Sequence, residues 1–263
     1  MFALQRALRA VQPDWLHIGG DLLPNEMPWY WCWKDAAEAC ERAALGRPFV
    51  HGPNIFFHSG NNPGLELHER VLLRAVSCQM IFTESDWYAD LIHQHLKSPV
   101  PVALWPYPID PMPEPQTDPE ACDIDLLVYA KSGIDFPGLA AIGRMWRNIR
   151  LVVYGMYERD DLLDLARRSR VCLYLSVSDR GPLALAEILL CGCPAIGVPR
   201  GAPWIRPGHN GAVVPNFCRQ AIAEAVVRCL QLDRGLVAQE AASRFDPQRV
   251  AGVVIEHLEE ARQ

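Results

Sequence analysis

The chain has 263 residues, half of them hydrophobic and 21% charged, with a formal net charge of −6. That is a globular composition, long enough for two modest domains with cores, and it lacks the basic excess needed to bind nucleic acid through its phosphates. No run of about 18 uncharged apolar residues occurs, so no membrane span is expected, and membrane contact is at most peripheral.

In chain order, "MFALQRALRA" carries Arg6 and Arg9 where a secretory leader needs an apolar core, and reads as a short amphipathic helix. Strand-like runs follow at 15–20 ("WLHIGG"), 48–57 ("PFVHGPNIFF"), 78–85 ("CQMIFTES") and 101–109 ("PVALWPYPI"). Helical patterns fall at about 35–45, 64–76 and 86–96. Five prolines then crowd 108–123, "PIDPMPEPQTDPEACD". Proline fixes φ and removes a donor, so this stretch reads as a linker.

A second series of strands follows at 123–131, 149–155, 171–177, 193–198 and 211–214. Helical patterns lie at about 136–147, 158–169, 181–192 and 216–231. The last stretch, 246–263, reads as a terminal helix packing on the body. Strands alternating with helices predict an α/β fold with parallel sheets and right-handed crossovers. Continuous apolar strands predict sheets covered on both faces. The expected organisation is a domain over 1–108, a linker over 109–122 and a second domain over 123–245, the two Rossmann-like sheets facing a cleft at their strand C-termini.

The nine cysteines stand singly except for Cys191-Gly-Cys193. That is neither a disulfide framework nor a closed zinc site, so they read as small buried residues in a cytoplasmic protein.

The stretch "DRGPLALAEILLCGCPAIGVPRG", 179–201, sets Glu187 in an apolar run. Pro182 suits the first position of a helix, Gly192 its end, and Pro194 bars its continuation. A helix apolar nearly all round is buried, and a buried carboxylate needs a partner or a ligand. Glu187 lies six residues past Gly181, roughly 9 Å along a helix. An anion at the helix start would place Glu187 near a ribose, which is a nucleotide-binding arrangement. A Glu paired with a buried Arg or a backbone N–H fits the pattern equally.

The stretch resembles the donor-binding motif of GT-B glycosyltransferases of the retaining, family-4-like type (glycosyltransferase group 1). Asp179, seven residues and Glu187 stand at the two acidic positions of that motif, and "CGCPAIGVPRGAPW" follows as its Gly-x-Pro strand and loop. "RPGHNGAVV", "VVYGMYERDDLLDLARRSRVCLYLS" and "LLVYAK" are similar to further motifs, with Lys131 where the family has Arg. "MIFTESDWYADLI" and "VALWPYPID" look like the closing elements of its N-terminal, acceptor-side domain. The departures are Asp179 in place of Glu, the stiffer and more cationic loop "DRGPLAL", and a reduced N-terminal domain. One βα unit also reads as missing between Lys131 and Ile149.

The resemblance implies transfer of a sugar from a nucleotide-diphosphate donor to a glycan, lipid or small-molecule acceptor, with no cofactor and no metal. Lys131, at a strand C-terminus, would neutralise the leaving diphosphate. Gly181, Pro182 and Leu183 would offer backbone contacts, Gly181 and Leu183 having N–H groups to give. Asp179 would accept from sugar hydroxyls, or else cap the helix. Arg180 is a second phosphate ligand or a surface charge. Gly155, Met156 and Tyr157 fill the loop that resembles the base-binding turn, where Tyr157 stacks or covers the core. His51 is the acceptor-side candidate, against an ordinary structural histidine, and Asn54 and the loop 58–62 add polar groups.

Asp123-Ile-Asp125 opens a strand far from the site and is not read as a metal motif. His93 and His95 do not share a helix face. The tryptophans at 15, 29, 31 and 33 read as core or partner contacts, with a sugar platform as the alternative. Two other functions stay open. One is a degenerate GT-B protein that binds a nucleotide or glycan, or partners an active transferase. The other is a different nucleotide-sugar enzyme, which the missing G-x-G-x-x-G keeps from being NAD-dependent.

Overall fold

The computed structural model describes residues 17–18, 49–51, 80–95, 101–109, 112–131, 143 and 146–260. The N-terminal helix, the helices at 35–45 and 64–76, nearly all of 136–147, Asn54, the loop 58–62 and the four N-terminal tryptophans lie outside them. The chain divides into two compact units, Met1–Trp105 with Val253–Gln263, and Pro106–Gly252.

In the first unit four strands pair in parallel, in chain order: β1 (His17–Ile18), β2 (Phe49–His51), β3 (Ile81–Thr83) and β4 (Val102–Leu104). Helix α1 (Asp86–His95) follows β3, and the Ser85 carbonyl receives the N–H groups of Tyr88 and Ala89 at its start. Met80, Phe82 and Ala103 share a small core with Val254 of the C-terminal helix, and Trp105 meets Phe82 edge-on.

The second unit holds β5 (Leu126–Ala130), β6 (Ile149–Val153), β7 (Cys172–Leu175), β8 (Ala195–Gly197) and β9 (Gly211–Val213), all parallel, in the order β6-β5-β7-β8-β9. Its helices are α2 (Arg159–Arg168), α3 (Leu183–Leu190), α4 (Arg219–Cys229), α5 (Arg234–Phe245) and the start of α6 (Pro247–Glu260). Strand alternation splits the core. Leu127, Tyr129, Cys172 and Tyr174 face α2, α3 and α5, while Leu126, Val128, Leu173 and Leu175 face α4. Burial on both faces is what continuous apolar strands require. β6 departs from it: Arg150 and Leu151 are exposed, because β6 is the sheet's edge. Among the described residues no helix is long and apolar enough to cross a membrane.

Helix α3 is buried through Ala184, Leu185, Ala186, Ile188 and Leu189. Gly192 ends it at φ 78°, and the N–H groups of Gly192 and Cys193 return to Leu189 and Ile188. Only glycine adopts that conformation at little cost. The start differs from expectation by one position: Pro182 precedes the helix, and its carbonyl receives the N–H groups of Leu185 and Ala186.

Helix α5 has no counterpart in the sequence reading, and its Arg234 is buried. Nε donates to Gln116 O (2.7 Å), Nη1 to Ser169 O (2.7 Å) and Nη2 to Arg167 O (3.2 Å). The guanidinium therefore closes the C-terminus of α2, where a cation meets the negative end of the helix dipole. It also ties down the proline-rich segment, in which Ile109 N bonds Phe245 O and Gln116 N bonds Cys191 O. Cys191 and Cys193 are buried with free thiols, and loss of hydration pushes both up to about 12.

Candidate functional site

The order β6-β5-β7-β8-β9 reverses direction between β5 and β7. In open parallel sheets that reversal leaves a crevice beyond the strand C-termini, since the two connections leave on opposite sides. Lys131 directly follows β5, and its N–H bonds Leu175 O across the reversal. Asp179 follows β7. The structure joins them: Lys131 Nζ donates to Asp179 Oδ2 at 2.7 Å, with Lys131 about a quarter exposed and Asp179 buried. Tyr174 OH donates to the same oxygen at 2.9 Å.

Asp179 is held by backbone too, its N–H bonding Arg200 O at 2.8 Å. Gly201 makes that approach possible. A Cβ there would sit 1.6 Å from Ser176 O, so only glycine lets this loop close on the end of β7. Asp179 does not cap α3, whose N-cap is Pro182.

Beside the ion pair stand two tyrosines that the sequence reading did not single out. Tyr129 and Tyr174, opposite one another on β5 and β7, stack at 5.0 Å with rings 7° apart. Such a pair contributes about 0.5–1.5 kcal/mol beyond its burial. Tyr129 OH and Tyr157 OH share a hydrogen bond of 3.0 Å. Burial raises all three phenols, and the Asp179 charge raises Tyr174 further. Tyr154 is exposed, and Lys131 Nζ lies 5.2 Å from its ring centre.

The loop after β6 turns at Gly155, φ 75°, leaves Met156 exposed and packs Tyr157 against the core. Tyr157 thus covers the core with its ring and bonds through its hydroxyl. From the middle of α3, Glu187 reaches the start of α2, just past this loop. Its side chain is 12% exposed, and Arg159 Nε donates to Oε1 at 2.5 Å. Among the described residues none donates to Oε2. Glu187 therefore has an Arg partner, but a half-exposed one rather than the buried one the pattern allowed.

At the start of α3 the Leu183 N–H turns back onto Gly181 O at 3.0 Å. That corrects the expectation that Leu183 offers a free donor: proline leaves a tight turn in which it is used. Gly181 and Ala184 keep N–H groups without an acceptor among the described residues. Leu183 itself is exposed and Arg180 half-buried.

Of the remaining candidates, His51 ends β2, with its backbone opposite Phe82, and its side chain lies outside the described residues. Asp123 pairs with Arg168, whose hydrogen bonds lower its pKa, and Asp125 accepts from the N–H groups of Arg147 and Asn148. Both serve the opposite edge of the sheet. Among the described residues no three His, Cys, Asp or Glu side chains are placed to hold a metal. Signals for the missed groups existed: Tyr129 and Tyr174 are polar-tipped aromatics near strand C-termini, and Arg159 is a cation at a helix start.

Residues 117–232 match the family model described as "Glycosyl transferases group 1". The fold is similar to that of the lipopolysaccharide outer core galactosyltransferase WaaB (TM-score 0.68, 12% identity, covering 98% of this chain and 79% of that one). It is also similar to HepE of Anabaena in complex with UDP and glucose (TM-score 0.63, 12% identity, 98% and 81%). A third similar structure is a GtfA/B complex (TM-score 0.62, 15% identity, 98% and 60%), so the chain spans 60% of that relative's length. No curated protein sequence matches. These structures share the GT-B fold, which the chain adopts.

Proposed function

We propose that this chain, whose residues 117–232 form a glycosyl transferases group 1 domain, transfers a sugar from a nucleotide-diphosphate donor to an acceptor. The observation that carries the reading is the gathering, at one end of one sheet, of Lys131, the Gly155–Tyr157 loop, the start of α3 and Glu187. Glu187 accepts from ribose hydroxyls through Oε2, and the nucleotide lies along α3 towards its start. There the N–H groups of Gly181 and Ala184 meet the diphosphate. Lys131 exchanges Asp179 for phosphate oxygens as charge develops on the leaving group, which supplies the electrostatic part of catalysis; positioning supplies the rest. Asp179, released, accepts from the sugar. His51 is the acceptor-side candidate. The scheme needs no metal or cofactor. Retention of configuration belongs to the proposal through the family resemblance and a cytoplasmic location through the cysteine pattern, and the UDP bound by HepE supports a nucleoside diphosphate as ligand.

Titration calorimetry with UDP, GDP, TDP and ADP on wild type and Glu187→Ala tests it. Micromolar binding of one nucleotide, lost in the variant, is expected; equal binding by both proteins makes Glu187 structural. The second reading, a non-catalytic GT-B protein that binds a nucleotide, is favoured by one observation. The cation meant for phosphate is already bonded to Asp179. Turnover of the bound sugar nucleotide separates the two.

A further inference from the structure

Arg159 opens α2, where a cation faces the positive end of the helix dipole and gains nothing from the helix. The next two residues, Asp160 and Asp161, are acidic, as a helix start prefers. Arg159 instead crosses to α3. Its Nε meets Glu187 Oε1 at 2.5 Å, and its Nη2 lies 3.3 Å from Met112 Sδ. Two different segments, α3 and the proline-rich stretch, thus hold one guanidinium. The contact with Glu187 uses one oxygen only. A forked pairing would engage both oxygens of the carboxylate.

We propose that Arg159 is a positioning residue for nucleotide binding. It fixes the Glu187 carboxylate with Oε1 engaged, so that Oε2 is presented to the ribose diol. The proposal rests on the reading of Glu187 given above. It predicts that the contribution of Arg159 appears only when ribose hydroxyls are present. A glutamate that must be oriented on binding loses side-chain freedom, and Arg159 removes that loss in advance.

The test is calorimetry with UDP, GDP and ADP against their 2′,3′-dideoxy counterparts, on wild type, Arg159→Gln, Arg159→Lys and Glu187→Gln. Thermal melts run alongside show that each variant is folded. Wild type is expected to prefer the ribonucleotide at least tenfold. Arg159→Gln is expected to lose most of that preference by weakening the ribonucleotide alone. Arg159→Lys, which keeps the charge without the planar group, is expected to recover part of it. A preference unchanged in Arg159→Gln but lost in Glu187→Gln overturns the role of Arg159 while leaving Glu187 on the ribose. No preference in wild type, with Glu187→Gln binding normally, overturns both. Equal weakening of ribo and dideoxy ligands makes Arg159 a general electrostatic contact and also overturns the proposal.

Discussion

The two edges of the second sheet both carry charged side chains, yet treat them differently. At the N-terminal edge the buried Arg234 spends its guanidinium on three backbone carbonyls and Asp125 accepts from two backbone N–H groups, while the side-chain pair there, Asp123 with Arg168, lies exposed in solvent. At the C-terminal edge Lys131 bonds Asp179 and Arg159 bonds Glu187, side chain to side chain. Backbone partners cannot leave without unfolding something. A side-chain partner can rotate away so that a ligand takes its place, as phosphate does for Asp179 on Lys131, or can leave one oxygen open to the ligand, as Arg159 leaves Oε2 of Glu187. The first edge is therefore built for stability and the second for a ligand.

The largest expected effect comes from protons buried at both edges. Cys191 and Cys193 at the N-terminal edge, and Cys229 on α4, are pushed by burial from an ordinary 9.0 up to about 12. Tyr129, Tyr157 and Tyr174 at the C-terminal edge are raised as well. A raised folded-state pKa gives stability that is complete below the unfolded value and is lost as pH climbs towards the folded one. The unfolding free energy read from urea titrations is thus expected to be level up to about pH 8.5. Above that it falls, by about 1.4 kcal/mol per pH unit for each group that only the unfolded chain ionises. Several groups acting together unfold the protein near pH 11. A stability that stays level to pH 11 breaks the claim that burial holds these thiols and phenols protonated.

Next comes Arg234→Met. It leaves the carbonyls of Gln116, Arg167 and Ser169 without this donor, the Ser169 contact being fully buried. A buried acceptor left unsatisfied costs about 1–3 kcal/mol, so a loss of about 3 kcal/mol is expected in urea unfolding. Nucleotide affinity measured well below the midpoint is expected to be unchanged. A variant as stable as wild type would erase the distinction between the edges.

Why the sequence shows one edge better than the other follows from the same contrast. Every predicted strand is present, because apolar runs between glycines and prolines leave little choice. "CGCP" was legible as a helix stop, and Gly192 does that work through its positive φ. Glu187 was legible because a carboxylate in a buried helix needs a reason. Its partner was not, since Arg159 lies 28 residues earlier and only the fold brings α2 beside α3. Helix α5 escaped notice because "RGLVAQEAASRF" opens with Gly235 after an arginine and is rich in alanine rather than in a clear apolar stripe. Arg234 escaped with it. The Lys131–Asp179 pair spans 48 residues and depends on a strand order that no local pattern encodes.

That pair gives the smallest and sharpest prediction. Asp179→Asn keeps the size of the side chain and a carbonyl oxygen to receive Tyr174 OH, while removing the charge from Lys131. Lys131 is partly exposed, so water compensates it, and stability is expected to change by less than about 1 kcal/mol. Affinity for the nucleoside diphosphate alone is expected to rise about fivefold, since phosphate no longer competes with a carboxylate for the ammonium. Turnover of the sugar nucleotide is expected to fall, because the amide is a weaker acceptor for sugar hydroxyls. If affinity falls instead, Asp179 holds Lys131 in place for the phosphate rather than standing in for it. The ion pair is then a fixed part of the site, and the C-terminal edge resembles the N-terminal one more than its side-chain partners suggest.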